Sequence, residues 1–323
     1  MIAKSKLLSI IALVIFISTA SMAQSINDAI NLYNQGVGLM KTDVAGAIVP
    51  FEECIVKCDQ IGDSAASLKE KAINILPDLY FQKAYKILVT EKKVYEAVTA
   101  SRVAISVATK YNNEKSKEKS EKLLCQSYLT MGGNSFSAKD YNNAIKAFDS
   151  ALVVNPDYLK AIFNKALSYR ALNEPAKYGE MIDLYISRLK TSGDTSQIAS
   201  VNKQAIDYYR LMGSKANAAN KLDDAVSLLT SAQKYGTDVD VYYYLADVYN
   251  KQKKFDEALT NGQKGLEMEQ GTPEAKAKFY YAIAVAQAGK GDTEGACGSF
   301  KNALYGPFLN PSKAQMTNLK CPK

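Results

Sequence analysis

Histidine occurs nowhere in the 323 residues. Hydroxyl and thiol nucleophiles activated by an imidazole, and metal sites with histidine ligands, therefore have no residue to build them. Carboxylates remain for acid–base work. The acidic pairs Glu52-Glu53, Asp223-Asp224 and Asp256-Glu257 fall at turns and solvent faces of the pattern described below. Gly36 and Gly38 lack the preceding strand and the further glycine of a phosphate-cradling loop. Cys54 and Cys58 lie one helical turn apart, where a bridge would strain the helix, so they read as small core residues. Cys125 reads the same way, and a metal site from scattered cysteines is not expected. No enzyme, no cofactor and no metal is the expectation.

Charge narrows the classes further. The net charge of +7 is spread along the chain and forms no basic stripe of the kind nucleic acid requires. The mixed-sign run Glu114 to Lys122 reads as a solvated helix start or a linker. Tyrosine is abundant, with 21 residues against no tryptophan. That favours contact surfaces over catalysis, so the question becomes what holds the tyrosines in place.

The stretch Cys125 to Tyr158 supplies the unit. In its second half Tyr141, Ala144, Ile145, Phe148, Ala151 and Leu152 trace one stripe at offsets of three and four, the period of a helix. Asn155-Pro156 ends it, because the residue before a proline leaves the α region. In its first half Tyr128, Met131, Gly132 and Phe136 form a second stripe, closed by the turn-prone residues Ser137 to Asp140. Neither stripe can be buried within so short a pair, so neighbours are required.

This arrangement resembles the tetratricopeptide repeat (TPR), a helix pair of about 34 residues. The early aromatic is Tyr128, the Leu-Gly-like pair is Met131-Gly132, the small–aromatic–small trio is Ala144, Phe148 and Ala151, and the closing proline is Pro156. Ser135 departs from the usual tyrosine. The unit recurs with Tyr209, Met212-Gly213, Leu222, Ala225, Leu229 and Ala232. It recurs again with Tyr242, Leu245-Ala246, Tyr249, Phe255 and Ala258, where Gly262 and Gly265 replace two of the trio and predict loose packing. A further copy has Tyr280, Ile283-Ala284, Ala296, Phe300 and Ala303. The resemblance implies an all-α, right-handed superhelical solenoid of about seven TPR-like helix pairs with a C-terminal capping helix.

Residues 1–23 read as a signal peptide: Lys4 and Lys6, an apolar run from Leu7 to Ile17, then small residues, with cleavage after Ala23. Loss of the two lysines takes the charge from +7 to +5. The run is short of the roughly 20 apolar residues of a span, and no other run approaches that length. The mature chain is therefore expected to be exported without a transmembrane segment, and to be periplasmic, envelope-associated or secreted. Residues 24–110 hold divergent helix pairs, with Ile61 to Ser64 between them, Pro77 just inside a helix start, and Ser101 in the aromatic's place. Residues 111–190 hold central repeats, of which the last is the least faithful, with Tyr178 where a small residue is usual. Residues 191–202 form a loop or joint, so two subdomains meeting near Gly193 are expected. Residues 203–306 hold C-terminal repeats and 307–323 a capping tail.

In such arrays the first helices line a concave groove, and residues just after the packing aromatic face it. By that resemblance Phe163, Arg170, Arg210, Asn217, Tyr243, Asp247, Asn250, Lys251 and Tyr281 either enter the groove or cover the seam between repeats. The lysine–asparagine set of chaperone-tail binders is absent. Cys297 on the last repeat and Cys321 on the cap would then meet in a disulfide worth about 2–4 kcal/mol. The expected function is a non-catalytic protein–protein interaction scaffold of a bacterial periplasm or cell envelope, holding a peptide or helix in the groove. Alternatives are an envelope-assembly or secretion-machinery subunit, and a glycan or small-ligand binder stacking on groove tyrosines. The register itself is testable: Phe148→Ala should cost about 3–5 kcal/mol in urea unfolding if that ring is core, and a cost below about 1 kcal/mol would contradict it.

Overall fold

The computed structural model describes residues 25–322, so the expected signal peptide and its cleavage after Ala23 lie outside the described residues. Among those residues there is no strand, and no helix is long and apolar enough to cross a membrane. In chain order the helices are α1 (25–39), α2 (Val44–Ile61), α3 (Ala66–Val89), α4 (Val94–Lys110), α5 (Glu114–Ser137), α6 (Tyr141–Val154) and α7 (Leu159–Ala171). They continue with α8 (Pro175–Ser192), α9 (Ile198–Ala218), α10 (Leu222–Gln233), α11 (Val239–Lys251), α12 (Phe255–Met268), α13 (Pro273–Gly289), α14 (Thr293–Asn302) and α15 (Leu309–Asn318). The fold is all-α, and the order is seven successive pairs followed by one terminal helix. Two compact units divide within α7, one ending at Ser168 and the other beginning at Tyr169.

Local chemistry starts and stops these helices where the turn signals stand. Asp43, Asn113, Asp140, Asp238 and Asp292 cap α2, α5, α6, α11 and α14 by accepting a bond from a free amide of the first turn. Before most second helices one residue takes a left-handed conformation: Lys92, Lys139, Asn173, Asn220, Lys253 and Gly291. The next amide then reaches back to the end of the preceding helix, as Asp140 does to Ser135 and Lys221 to Ala216. Orphan carbonyls are thereby satisfied and the chain reverses within a few residues.

In the first unit each helix packs on the next from α2 to α6, and α3 also meets α5. The α5–α6 pair runs antiparallel, since Cys125 bonds to the Ala151 carbonyl while Gly132 lies against Phe148 farther along. Phe148 is fully buried among Tyr128, Ala144, Ala151 and Ala161. A Cβ at Gly132 would penetrate the Phe148 ring, so the ring fits only because that position is bare. Cys54 and Cys58 are both buried, with sulfurs 4.0 Å apart. Ser101, in the aromatic's place on α4, is buried with no partner for its hydroxyl.

In the second unit α8 through α15 pack in sequence, and among the first helices α11 also touches both α9 and α13. Phe255 faces Gly289, Gly262 faces Ile283 and Gly265 faces Phe279, so α12 and α13 are antiparallel. The expected loose packing of α12 is therefore wrong. A Cβ at Gly262 would stand 2.8 Å from Ile283 Cγ1, and one at Gly265 would enter the Phe279 ring. The bulk absent from α12 is supplied by the following helix.

Two more expectations are revised. Pro77 lies in the interior of α3, not at its start, and is buried with Leu76 and Leu79 on either side. Tertiary packing carries the helix through the missing amide that would otherwise stop it. Segment 191–202 is largely helical: only 193–197 lie outside α8 and α9, and the units part at Ser168 instead of near Gly193. The tail helix begins at Leu309, with Pro311 in its first turn, where no intrahelical bond is lost. Its Met316 and Leu319 rest on Ala284, Ala296 and Phe300, as a cap should, and Cys297 is bonded to Cys321 with Cα atoms 5.6 Å apart. The tight α12–α13 seam gives a test in which propensity and packing oppose each other. Gly265→Ala gains about 1 kcal/mol of helix propensity but overpacks Phe279, so a net loss of about 1–3 kcal/mol is expected in urea unfolding; a more stable variant would refute the contact.

Candidate functional site

The first helices of the second unit are stacked in register, and their shared face carries most of the singled-out residues. Contacts between them climb together: Arg210 reaches Asp240 and Asn217 reaches Asp247, then Tyr243 meets Phe279 and Asn250 meets Ala282. Helices one repeat apart therefore run parallel, and side chains at equal heights form rungs between them.

The lower rung is ionic. The Arg210 guanidinium donates to Asp238 at 3.0 and 3.3 Å, to Asp240 at 3.2 Å and to Asp207 at 3.0 Å. Lys278 on α13 closes on the other oxygen of Asp240 at 2.5 Å. Asp238 also caps α11 by accepting from the Val241 amide, so helix start and rung share one carboxylate. These groups are a fifth to a half exposed, which limits each pair to about 1 kcal/mol or less. Their common effect is to fix every charge in place.

The upper rung mixes amides and ions. Asn217 donates to Asp247 at 2.7 Å and accepts from Lys251 at 2.8 Å, while Lys251 pairs with Asp247 at 2.8 Å. Asn217 is buried, so both ends of its amide are spent inside the ladder. Asn250 donates to the Ala282 carbonyl at 2.8 Å and its own oxygen is buried. Both asparagines thus hold the seam between repeats, whereas Arg210, Asp247 and Lys251 keep part of their surface in solvent.

Aromatic rings lie between the two rungs, with Tyr243 between Asp240 and Asp247 along α11. Tyr243 stands edge-on to Phe279 at 6.1 Å and to Phe308 at 6.3 Å, and Tyr281 lies 5.4 Å from the same Phe308. Burial, with the nearby Asp247 carboxylate, pushes the Tyr243 phenol up to about 12 and raises that of Tyr281. Phe308 belongs to the short 3-10 turn Gly306–Phe308 that leads into α15. Arg170 is farther back, on α7, with its guanidinium 5.9 Å from the centre of the Tyr208 ring. Phe163 is half-buried on α7, on the first unit's side of the division.

One cluster escaped the sequence reading. Tyr178 is fully buried and packs edge-on to Tyr208 at 4.6 Å and near Tyr209 at 6.0 Å, while Tyr209 stacks on Tyr235 at 5.9 Å. Gly179 makes the room, since a Cβ there would collide with the Tyr209 hydroxyl. That hydroxyl donates to the Pro175 carbonyl at 2.7 Å, and the Tyr235 hydroxyl donates to Asp183 at 3.0 Å. The only sequence signal was Tyr178 breaking the small-residue rule beside a glycine. Among the described residues no group of His, Cys, Asp or Glu is arranged to hold a metal.

No family model matches the chain and no curated protein is similar to it. Solved structures overlap it in part. The crystal structure of a tetratricopeptide repeat protein from Parabacteroides merdae is 15% identical over 89% of this chain and 99% of that one, with a TM-score of 0.27. The C-terminal part of a TPR repeat-containing protein from Cytophaga hutchinsonii is 17% identical over 74% and 83%, with a TM-score of 0.36. The MamA protein is 20% identical over 62% and 97%, with a TM-score of 0.35.

The tyrosine cluster ties stability to alkaline pH. Burial holds the Tyr178 and Tyr209 phenols up at about 12, against about 10 in an unfolded chain. Below pH 10 both states are protonated and the stabilisation is complete; between 10 and 12 only the unfolded state ionises, so stability falls as pH rises. Thermal melts of Tyr178→Phe should show a shallower loss over pH 10–12 than the parent; an unchanged slope would contradict the burial argument.

Proposed function

We propose that the chain is a protein-binding scaffold, and that the face shared by α9, α11 and α13 receives a peptide or helix. The observation that supports this most is the ladder itself. Arg210, Asp247 and Lys251 are partly exposed yet already held by partners on the neighbouring helix. A surface whose charged side chains are ordered beforehand loses little rotamer freedom on docking. Fixed charges of both signs along three successive helices also select a partner by charge order more than by net charge. The site would lie in a periplasm or cell envelope, following from the leader-like residues 1–23, and an envelope-assembly or secretion subunit is the narrower version of the same reading.

The glycan-binding alternative has weaker support. Tyr243 and Tyr281 are the rings such a ligand would stack on, and both already face Phe308. The test is capture of envelope proteins on the immobilised full chain, identified by mass spectrometry. A specific protein should be retained, and Lys251→Ala should lower its recovery about tenfold, near the 1–2 kcal/mol of a good interface contact. Retention of a glycan instead, lost in Tyr243→Ala, would favour the alternative. A hydrolytic activity with neither partner would overturn both.

A further inference from the structure

The disulfide and the aromatic rung are joined by one stretch of chain. Cys297 sits on α14 and Cys321 just beyond α15, so the covalent loop between them contains both the turn Gly306–Phe308 and α15. Phe308, in that loop, reaches across to α11 through Tyr243 while also covering Tyr281 on α13. A segment of the chain's own sequence therefore occupies the aromatic end of the face assigned above to a partner.

Besides the bond, that segment is held by Phe308 on the two tyrosines and by Met316 and Leu319 on α13 and α14. The flanking Tyr305, Gly306 and Pro307 are exposed. Gly306 takes a left-handed conformation at φ 48°, so the strap is a bent, self-supporting turn. The helix behind it is ten residues long, LNPSKAQMTN, with proline, serine, threonine and asparagine and a single buried residue, Ser312, whose hydroxyl lacks a partner. So short and poor a helix does not stand alone in water. It persists through Met316 and Leu319 on the α13–α14 surface and through the covalent loop. Elements with few buried contacts open at the lowest free energy.

We propose that residues 305–309 are an autoinhibitory strap, that Phe308 fills the place of an aromatic side chain of the partner, and that the Cys297–Cys321 disulfide is its latch. A dithiol reductant opens the latch by thiol–disulfide exchange. One thiolate attacks a sulfur of the bond, the second displaces the mixed disulfide, and two electrons and two protons pass to the cysteines while the dithiol becomes a disulfide. With the latch open, Phe308 leaves, and Tyr243 and Tyr281 become available beside Arg210, Asp247 and Lys251. The partner is accordingly a polypeptide that presents a phenylalanine or tyrosine flanked by charges. This rests on the protein-binding reading but is tested without a partner, so loss of one does not imply loss of the other.

The test is nitration by tetranitromethane, mapped residue by residue in the full chain. The samples are the oxidised protein, protein reduced with dithiothreitol and alkylated with iodoacetamide so that the nitrating reagent cannot re-form the bond, Cys297→Ser/Cys321→Ser, and oxidised Phe308→Ala. Tyr243 and Tyr281 should react at least about threefold faster in the last three samples, as a locally opened segment requires. Tyr242, buried on the same helix, should not change. Unchanged tyrosines in Phe308→Ala would show that the ring is no cover. A response to Phe308→Ala but not to reduction or the serine pair would show that the disulfide is no latch. A rise at Tyr242, or a loss of helical circular dichroism on reduction larger than the ten residues of α15 can supply, would show that the bond holds the unit and not the strap; each result overturns the proposal.

Discussion

Bulk on one helix set against its absence on the next is the constraint on which this chain depends. Two helices approach closely only where one of them is bare. Gly132 accepts Phe148, Gly265 accepts Phe279 and Gly179 admits the Tyr209 hydroxyl. Which helix is bare changes along the chain; the pairing of a ring with a gap does not. Each such contact sets the separation of neighbouring helices, and that separation decides whether side chains one repeat away can touch. The rungs from Arg210 to Asp240 and from Asn217 to Asp247 exist because the helices beneath them are seated at a fixed depth.

The proposed function follows from that seating through the order of the side chains. The ladder contains acids, bases and amides, but each is consumed by another: Asp238 serves a cap and a guanidinium together, and Asn217 spends both ends of its amide. What such a surface offers a partner is a fixed sequence of partly exposed charges ending in two tyrosines. Its aromatic end is where the chain's own tail crosses, so the same geometry that would bind a partner also accommodates part of the molecule.

Much of this was legible beforehand, for physical reasons that differ by element. The α5–α6 pair could be read because its stripe has helical period and its ends carry a cap and a proline, all of them local signals. The Cys297–Cys321 pairing followed once the tail was taken as a cap. Pro77 misled because a local rule, the preference of proline for the first turn of a helix, yields to burial of Leu76 and Leu79 around it. Gly262 and Gly265 misled because a missing side chain says nothing about which neighbour fills the space. The Tyr178–Tyr209 cluster was invisible for the same reason: it is a relation between α8 and α9, and only Gly179 hinted at it. Among the proposed groove residues the sequence left groove and seam undecided; the burial of Asn217 and the bond from Asn250 to the Ala282 carbonyl set those two on the seam.

The most direct test of the ring-in-gap principle is a double-mutant cycle at Gly132 and Phe148, read by urea unfolding. Gly132→Ala alone should destabilise, and Phe148→Leu should recover part of that loss by withdrawing the ring, giving a coupling of about 1 kcal/mol or more. Changes that simply add, within about 0.3–0.5 kcal/mol, would mean that the two residues do not share one space, and the account of how these helices are held would fail.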